Sequence, residues 1–398
     1  MAADRIVIVG ASLAGVRAAE TLRKDGHDGP IILVGAEPHL PYDRPPLSKG
    51  VLAGKVTPES ASLPIDPALE VELCLSTRAT ALDLRRRVVD LDGEAEPLGF
   101  DQLVIATGAH PRTLAALPEL DGVFVLRTID DCLALRSALT AGPAPRVAVV
   151  GAGFIGSEVA ATCQGLGLAV TVIEALPVPM VRAVGEEVGR RCARLHLDHG
   201  VKLRLGVGVA GLAGTGRVEA VRLADGSVVP ADVVVIGVGV VPSTGWLESS
   251  GVDLGDGVLC DRWCRVRSGG LPVPGVVAAG DVARWDHPLF GESIRVEHWT
   301  NAADQGHAAA LTLLCGEEAP PYSPVPYFWS DQYQTKIQFV GRNGADVQVV
   351  EGSIDDDRFV VAYGAAGRLV GALGFSRPAR IMAYKAMIAR GGPFPAQV

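Results

Sequence analysis

The chain has 398 residues, 48% of them hydrophobic, which is enough for two or three domains with cores of their own. Its net charge of −9 leaves no basic excess for neutralising phosphates, which argues against a general nucleic-acid binder. No apolar run reaches the length of a membrane span and no secretory signal is visible, so the sequence predicts a cytoplasmic protein without a membrane anchor.

In chain order, residues 5–37 read as an apolar β-branched strand, a glycine turn, an Ala-rich helix and a second strand, closing on the acid Glu37. This is the βαβ plan of a dinucleotide unit. Its first glycine makes a tight turn, its second lets the backbone approach a pyrophosphate, and its third brings helix and strand together. Here the turn is Gly10, Ser12, Gly15, with a small serine in the middle. The stretch "LPYDRPPLSK" (40–49) follows, in which Pro41, Pro45 and Pro46 stiffen the segment that carries Lys49, and the whole span 38–55 lacks cysteine. Short strand patterns at 71–75 and 87–91 lead to "FDQLVIATGAHP" (100–111).

Residues 146–174 repeat the first plan with a complete turn, Gly151, Gly153 and Gly156, and then Glu174. Two such units, about 140 residues apart and each followed by an acid, predict two dinucleotide sites. Glu174 stands where an acid grips a ribose 2′-OH and repels a 2′-phosphate, and Ala175 to Val181 contain no arginine, which predicts NADH rather than NADPH. Further on, "ADVVVIGVGVVPS" (231–243) and "VPGVVAAGDVARW" (273–285) read as buried strands that end in glycine. The Pro-rich "EEAPPYSPVPYF" (317–328) reads as a linker, and "KIQFVGR", "DVQVVEG", "FVVAYG" and "LVGALGF" as strands of an antiparallel C-terminal domain.

Residues 358–398 hold Arg358, Arg368, Arg377, Arg380, Lys385 and Arg390 and no acid, a pattern suited to steering an acidic partner. The seven cysteines are scattered. Cys260 and Cys264 form a CxxxC, which matches neither a redox dithiol nor a usual zinc spacing, so the thiols read as structural. The histidines show no paired metal spacing, and no metal is expected. Ser12 lacks the Asp…His set of a hydrolase.

Seven segments, "PYDRPPLSK", "VIATGAHPR", "VLRTIDD", "VVGAGFIGSEVAA", "VVAAGDVA", "VEHWTNAADQG" and "YFWSDQYQTKIQFVG", stand in an order that resembles the FAD-dependent NADH:ferredoxin reductases of oxygenase systems, the group of putidaredoxin reductase and the aromatic-dioxygenase ferredoxin reductases. The resemblance covers nearly the whole chain, and its ATG and GD boxes occur across the wider glutathione-reductase-like superfamily. It implies an α/β fold with two Rossmann-like dinucleotide-binding domains and an α+β C-terminal domain with an antiparallel sheet. The FAD domain would be split, 1–110 and 237–318, the NAD domain inserted as 111–236, and an interface domain would span 319–398.

Carried over to this sequence, the resemblance implies that Gly10, Ser12, Leu13, Ala14 and Gly15 line the FAD pyrophosphate, and that Glu37 is the adenosine-ribose acid, although Ala36 occupies the place directly after the glycine. Arg44, Pro45 and Lys49 would lie along the isoalloxazine and Ala79 near the adenine. Ala106, Thr107, Gly108, Arg127, Gly280, Asp281, His298 and Trp299 would complete the FAD site. Gly151, Gly153, Ile155, Gly156, Glu174 and Gly239 would hold NADH. Lys49 and Glu158 are the catalytic candidates, paired beside the flavin and the incoming nicotinamide. Asp281 is also placed to start a helix, and Trp299 and Trp329, which as isolated tryptophans would be core aromatics, are read as cofactor contacts because both stand in these segments.

The expected partner is an acidic [2Fe–2S] ferredoxin docking near 358–398 and Trp329. Flavoproteins that reduce peroxide, oxygen or a disulfide need a thiol beside the flavin, which 38–55 lacks. Reductases of rubredoxin or another small acceptor share similar boxes. An NADH-sensing interaction flavoprotein, like apoptosis-inducing factor, is the alternative from another class, and would show no acceleration by an iron–sulfur partner.

Overall fold

The computed structural model describes residues 4–114 and 119–396. Among them are six α-helices: α1 (Leu13–Lys24), α2 (Ile129–Thr140), α3 (Phe154–Gly165), α4 (Val181–Asp198), α5 (Trp299–Cys315) and α6 (Pro378–Ala389). The chain divides into two compact units. The first comprises the chain up to Asp43, Ala61–His110 and Val241–Pro326; the second comprises Arg44–Ser60, Pro111–Val240 and the chain from Tyr327 on.

In the first unit, strands Ile6–Val9, Ile31–Val34, Val71–Cys74, Gln102–Ile105 and Leu271–Ala278 run parallel in one large sheet, with Ile6 opposite both Ile31 and Gln102. A parallel sheet is covered on both faces, so its strands are unbroken apolar runs; "IVIV" and "IILV" are buried throughout. Helix α1 crosses α5 closely because Gly306 has no side chain: a Cβ there would lie 2.3 Å from the Ala14 carbonyl oxygen. The second strand of this βαβ unit stops at Val34, so Glu37 lies beyond it, after a turn at Gly35 that packs against Ala11.

The second unit repeats the parallel plan. Its five-stranded sheet runs in the order Lys202–Leu205, Ala169–Glu174, Arg146–Val150, Val233–Ile236, Val123–Phe124. The apolar run at 231–243 is therefore broken, with a strand at Val233–Ile236 and a separate short one at Val240–Pro242.

The C-terminal part of this unit is an antiparallel sheet in the order Tyr327–Gln332, Thr335–Gly341, Arg368–Phe375, Phe359–Ala365, Asp346–Glu351. Helix α4 supplies Val184, Val188 and Leu195 to a core shared with Phe328, Phe339 and Phe359. Helix α6 buries Ile381, Tyr384 and Ile388, and Gly374 leaves room for Ile381, whose Cγ1 would be 2.7 Å from a Cβ at that position.

Candidate active site

Each glycine turn is fixed by backbone sterics. In the first unit Gly10 has φ +123°, and a Cβ there would fall 2.1 Å from the Ala106 carbonyl oxygen; one on Gly15 would fall 2.1 Å from the Gly10 oxygen. Neither position tolerates a side chain. Ser12 is the N-cap of α1, with extended backbone and no capping hydrogen bond from its side chain. The helix start is therefore not capped by its own residue, and its N–H groups and positive end suit an anion. Leu13 and Ala14 open that helix, and a Cβ on Gly280 would lie 3.1 Å from the Ala14 Cβ.

Gly280 N–H donates to Gln305 Oε1 at 2.9 Å, and Asp281 follows in a three-residue 3-10 turn that leads into a strand rather than an α-helix. The Tyr42 hydroxyl donates to Glu37. The Thr107 hydroxyl donates to Ser243 O at 2.9 Å, next to Ala106 and Gly108, and Ala79 begins the strand Ala79–Asp83. At the head of α5, Trp299 Nε1 donates to Asp43 Oδ1 at 2.6 Å. His298 precedes it as N-cap; its surface is only half-buried, yet the protein packed around it pulls the imidazole down to about 4, with the Asp281 carboxylate opposing.

The second turn has the same geometry in the other unit. Gly151 has φ +98° and a Cβ would meet the Gly237 oxygen at 2.3 Å, while one on Gly156 would meet the Gly151 oxygen at 2.1 Å. A Cβ on the middle residue, Gly153, would find nothing within 4 Å, and Gly153 is the N-cap of α3 without a side-chain cap. Open space thus faces a bare helix start. Ile155 on the first turn of α3 is 39% exposed. Both oxygens of Glu174 are held by backbone: Oε2 accepts from Ala152 N–H at 2.7 Å and Oε1 from Leu176 N–H at 2.8 Å. Gly239, at φ +96°, also faces open space, and its carbonyl accepts from Arg112 N–H at 2.9 Å.

Lys49 and Glu158 meet in this second unit. Prolines 45 and 46 set the φ of a short 3-10 helix, Pro45–Ser48, and Lys49 ends it. The segment is stapled from three sides: Arg44 Nη1 donates to Arg127 O at 2.6 Å, the Cys132 thiol to Leu47 O at 3.2 Å, and the Thr162 hydroxyl to Ser48 O at 2.7 Å. Lys49 Nζ lies 2.6 Å from Glu158 Oε2 and 3.2 Å from Pro45 O. Glu158 is only 5% exposed. A carboxylate so buried is costly unless its lone pairs are filled. Here Lys49 and the Ser48 hydroxyl donate to Oε2, and the Ser330 hydroxyl donates to Oε1 at 2.9 Å. Behind it, Gln332 Nε2 donates to Ser330 Oγ at 3.2 Å.

Asp43, Ser48, Ser330 and Gln332 were not among the residues singled out from the sequence, although all four lie inside the segments "PYDRPPLSK" and "YFWSDQYQTKIQFVG". The cysteines are free, and burial pushes the thiols of Cys132 up to about 11 and of Cys163, Cys192 and Cys264 up to about 12. Among the described residues no His, Cys, Asp and Glu cluster could hold a metal ion, and no helix is long and apolar enough to cross a membrane.

The basic C-terminal run is less free than its composition implies. Arg377 and Arg380 both reach Glu351, at 3.0 and 2.8 Å, and the Arg380 hydrogen bond holds that carboxyl below its usual range. Half-buried Trp329 stacks with Tyr327, ring centres 6.0 Å apart, and Lys385 lies 6.0 Å above the Tyr327 ring.

The family model for pyridine nucleotide-disulphide oxidoreductases matches residues 4–306, and one described as reductase C-terminal matches 327–398. The chain belongs to the pyridine nucleotide-disulphide oxidoreductase family. This oxidoreductase is 38% identical, over 100% of its own length and 97% of the other, to the anthranilate 1,2-dioxygenase system ferredoxin–NAD(+) reductase component of Burkholderia cepacia. It is 36% identical to rhodocoxin reductase of Rhodococcus erythropolis, over 98% and 90% of the two chains. Among solved structures it superimposes on the reductase in the covalent putidaredoxin reductase–putidaredoxin complex with a TM-score of 0.92, at 32% identity, covering 99% of this chain and 94% of that one.

Proposed function

We propose that the protein is an FAD-dependent NADH:ferredoxin oxidoreductase of the cytoplasm, which passes electrons to a small [2Fe–2S] ferredoxin serving an oxygenase. The observation that carries this reading is a pair of glycine turns, each at an uncapped helix start, in a chain similar from end to end to ferredoxin–NAD(+) reductase components. The domains follow: an FAD domain of 1–110 and 237–318, an NAD domain of 111–236 and an interface domain of 319–398.

The residues fit both nucleotides. Gly10, Ser12 and Gly15 would hold the FAD pyrophosphate against α1, with Glu37 toward its ribose, and Gly151, Gly153 and Gly156 would hold that of NADH against α3. Bound FAD supplies the chemistry of accepting two electrons together and releasing them singly. Lys49 brings a positive charge to a reaction that builds negative charge, and Glu158 fixes where that charge sits. Glu174, already oriented by two backbone N–H groups, keeps lone pairs for ribose hydroxyls.

The test is to purify the protein, measure FAD per chain, and follow NADH-driven cytochrome c reduction with and without candidate ferredoxins. Bound FAD and a rate that rises with ferredoxin are expected. A preparation without FAD, or FAD-bound protein that no ferredoxin accelerates, would overturn the reading.

A further inference from the structure

We infer that Ser330, a buried residue of the C-terminal sheet, is a positioning residue for electron uptake from NADH: it locks the Glu158 carboxylate and so sets where the Lys49 charge stands. The inference rests on the reading of Lys49 and Glu158 as a flavin-side pair.

The argument is one of hydrogen-bond direction. Glu158 Oε2 is shared by Lys49 and Ser48, but Oε1 accepts only from Ser330 among the described residues. Ser330 is 0% exposed, so bulk solvent does not compete for this hydrogen bond. A hydroxyl has one proton to give and lone pairs to accept with. Gln332 Nε2 donates to Ser330 Oγ, so the Ser330 proton is committed to Glu158. Gln332 is itself fully buried, and its Oε1 meets no hydrogen-bond partner among the described residues.

The chain Gln332, Ser330, Glu158, Lys49 is thus a one-way series of donors converging on one carboxylate from both sides. Without Ser330, Oε1 is a bare acceptor in a buried site. The carboxylate then relieves that loss by rotating, and Lys49, bound to its other oxygen, moves with it.

The experiment compares holoprotein of the wild type with Ser330→Ala, Ser330→Thr, Gln332→Met and Lys49→Met. It reads the flavin midpoint potential, the stopped-flow rate and Kd for reduction by NADH, and the unfolding temperature. Ser330→Ala is expected to lower the potential by the equivalent of a three- to tenfold change in the two-electron equilibrium, roughly 15–30 mV. It should slow reduction about three- to tenfold with little change in NADH Kd, in the same direction as Lys49→Met but by less. Ser330→Thr, which keeps the hydroxyl, should restore most of both, and Gln332→Met should show part of the Ser330→Ala effect.

A Ser330→Ala protein that unfolds earlier but keeps the wild-type potential and rate, while Lys49→Met alters both, would overturn the positioning role alone. An unmoved potential and rate in Lys49→Met would overturn the flavin-side reading of the pair and this inference with it.

Discussion

The two glycine turns invite comparison because their backbones are nearly the same and their acids are not. In both, the first glycine has positive φ with a carbonyl oxygen where a Cβ would be, and the last glycine packs on the first. The acids are handled differently. Glu174 ends its own strand and is tied by two backbone N–H groups, one of them from its own turn. Glu37 lies past the end of its strand and is met by a side chain, Tyr42, from the proline-rich stretch. The crossing of strand and helix is thus a matter of sterics, dictated by residue type, whereas the orientation of the acid depends on what surrounds the turn.

The largest effect that can break this comparison is on the glycines themselves. Gly10→Ala and Gly151→Ala each force a Cβ against a carbonyl at a positive φ, a strain of about 3 kcal/mol. Gly10→Ala should purify without FAD. Gly151→Ala should keep FAD and lose NADH-driven reduction by about a hundredfold or more. Equal loss of FAD in both would end the assignment of one turn to each nucleotide.

Acid should affect the second unit through fully buried His196, as it should affect the first through His298. Burial pulls the His196 imidazole down to about 4, and its Nδ1 lies 2.9 Å from the Tyr333 hydroxyl. Native His196 stays neutral where the unfolded chain already binds a proton, so stability falls as pH drops from about 6.5 toward 4, by up to about 3 kcal/mol. Denaturant titrations at stepped pH should show that slope, and His196→Gln should reduce it, leaving the part that His298 contributes. An unchanged slope in the variant would place the acid-sensitive group elsewhere.

A smaller effect sharpens the contrast between the acids. Glu174→Ala should narrow the preference for NADH over NADPH in kcat/KM by about tenfold, near 1.4 kcal/mol, whereas Glu37→Ala should leave that ratio alone. The smallest concerns the basic run. Ferredoxin-dependent turnover should fall as salt rises while reduction of the flavin by NADH hardly changes. Because Arg377 and Arg380 share Glu351, reversing both should raise the KM for ferredoxin only about threefold. Equal loss in both half-reactions would remove this face as the docking surface.

Much of this was legible in the sequence because it depends on backbone sterics and on period. The turns at Gly10 and Gly151, the buried parallel strands and four of the five C-terminal strands follow from residue type and spacing. What was not legible depends on partners distant in sequence. Ser330 and Gln332 are ordinary polar residues in a strand whose first two residues belong to the linker-like Pro-rich stretch, and their link to Glu158, 172 residues before Ser330, runs through the Ser330 hydroxyl. Asp43 takes its role from Trp299, 256 positions away. The pairing of Arg377 and Arg380 with Glu351 was hidden because that acid lies just outside the acid-free run. Helix α6 carries apolar residues on most of its faces, so its period was weak.

The strand Tyr327–Gln332 has one more consequence, for how such a protein can diversify. Its residues alternate: Phe328, Ser330 and Gln332 are buried, and Tyr327, Trp329 and Asp331 are half-buried on the opposite face. The inward set touches Phe154 and Glu158 of α3, and the outward set begins the proposed partner face. Mutation can therefore redraw one face of the strand while the other is held constant. If the ferredoxin docks on that face, an engineer seeking a new redox partner would randomise Tyr327, Trp329 and Asp331 and leave every second residue alone.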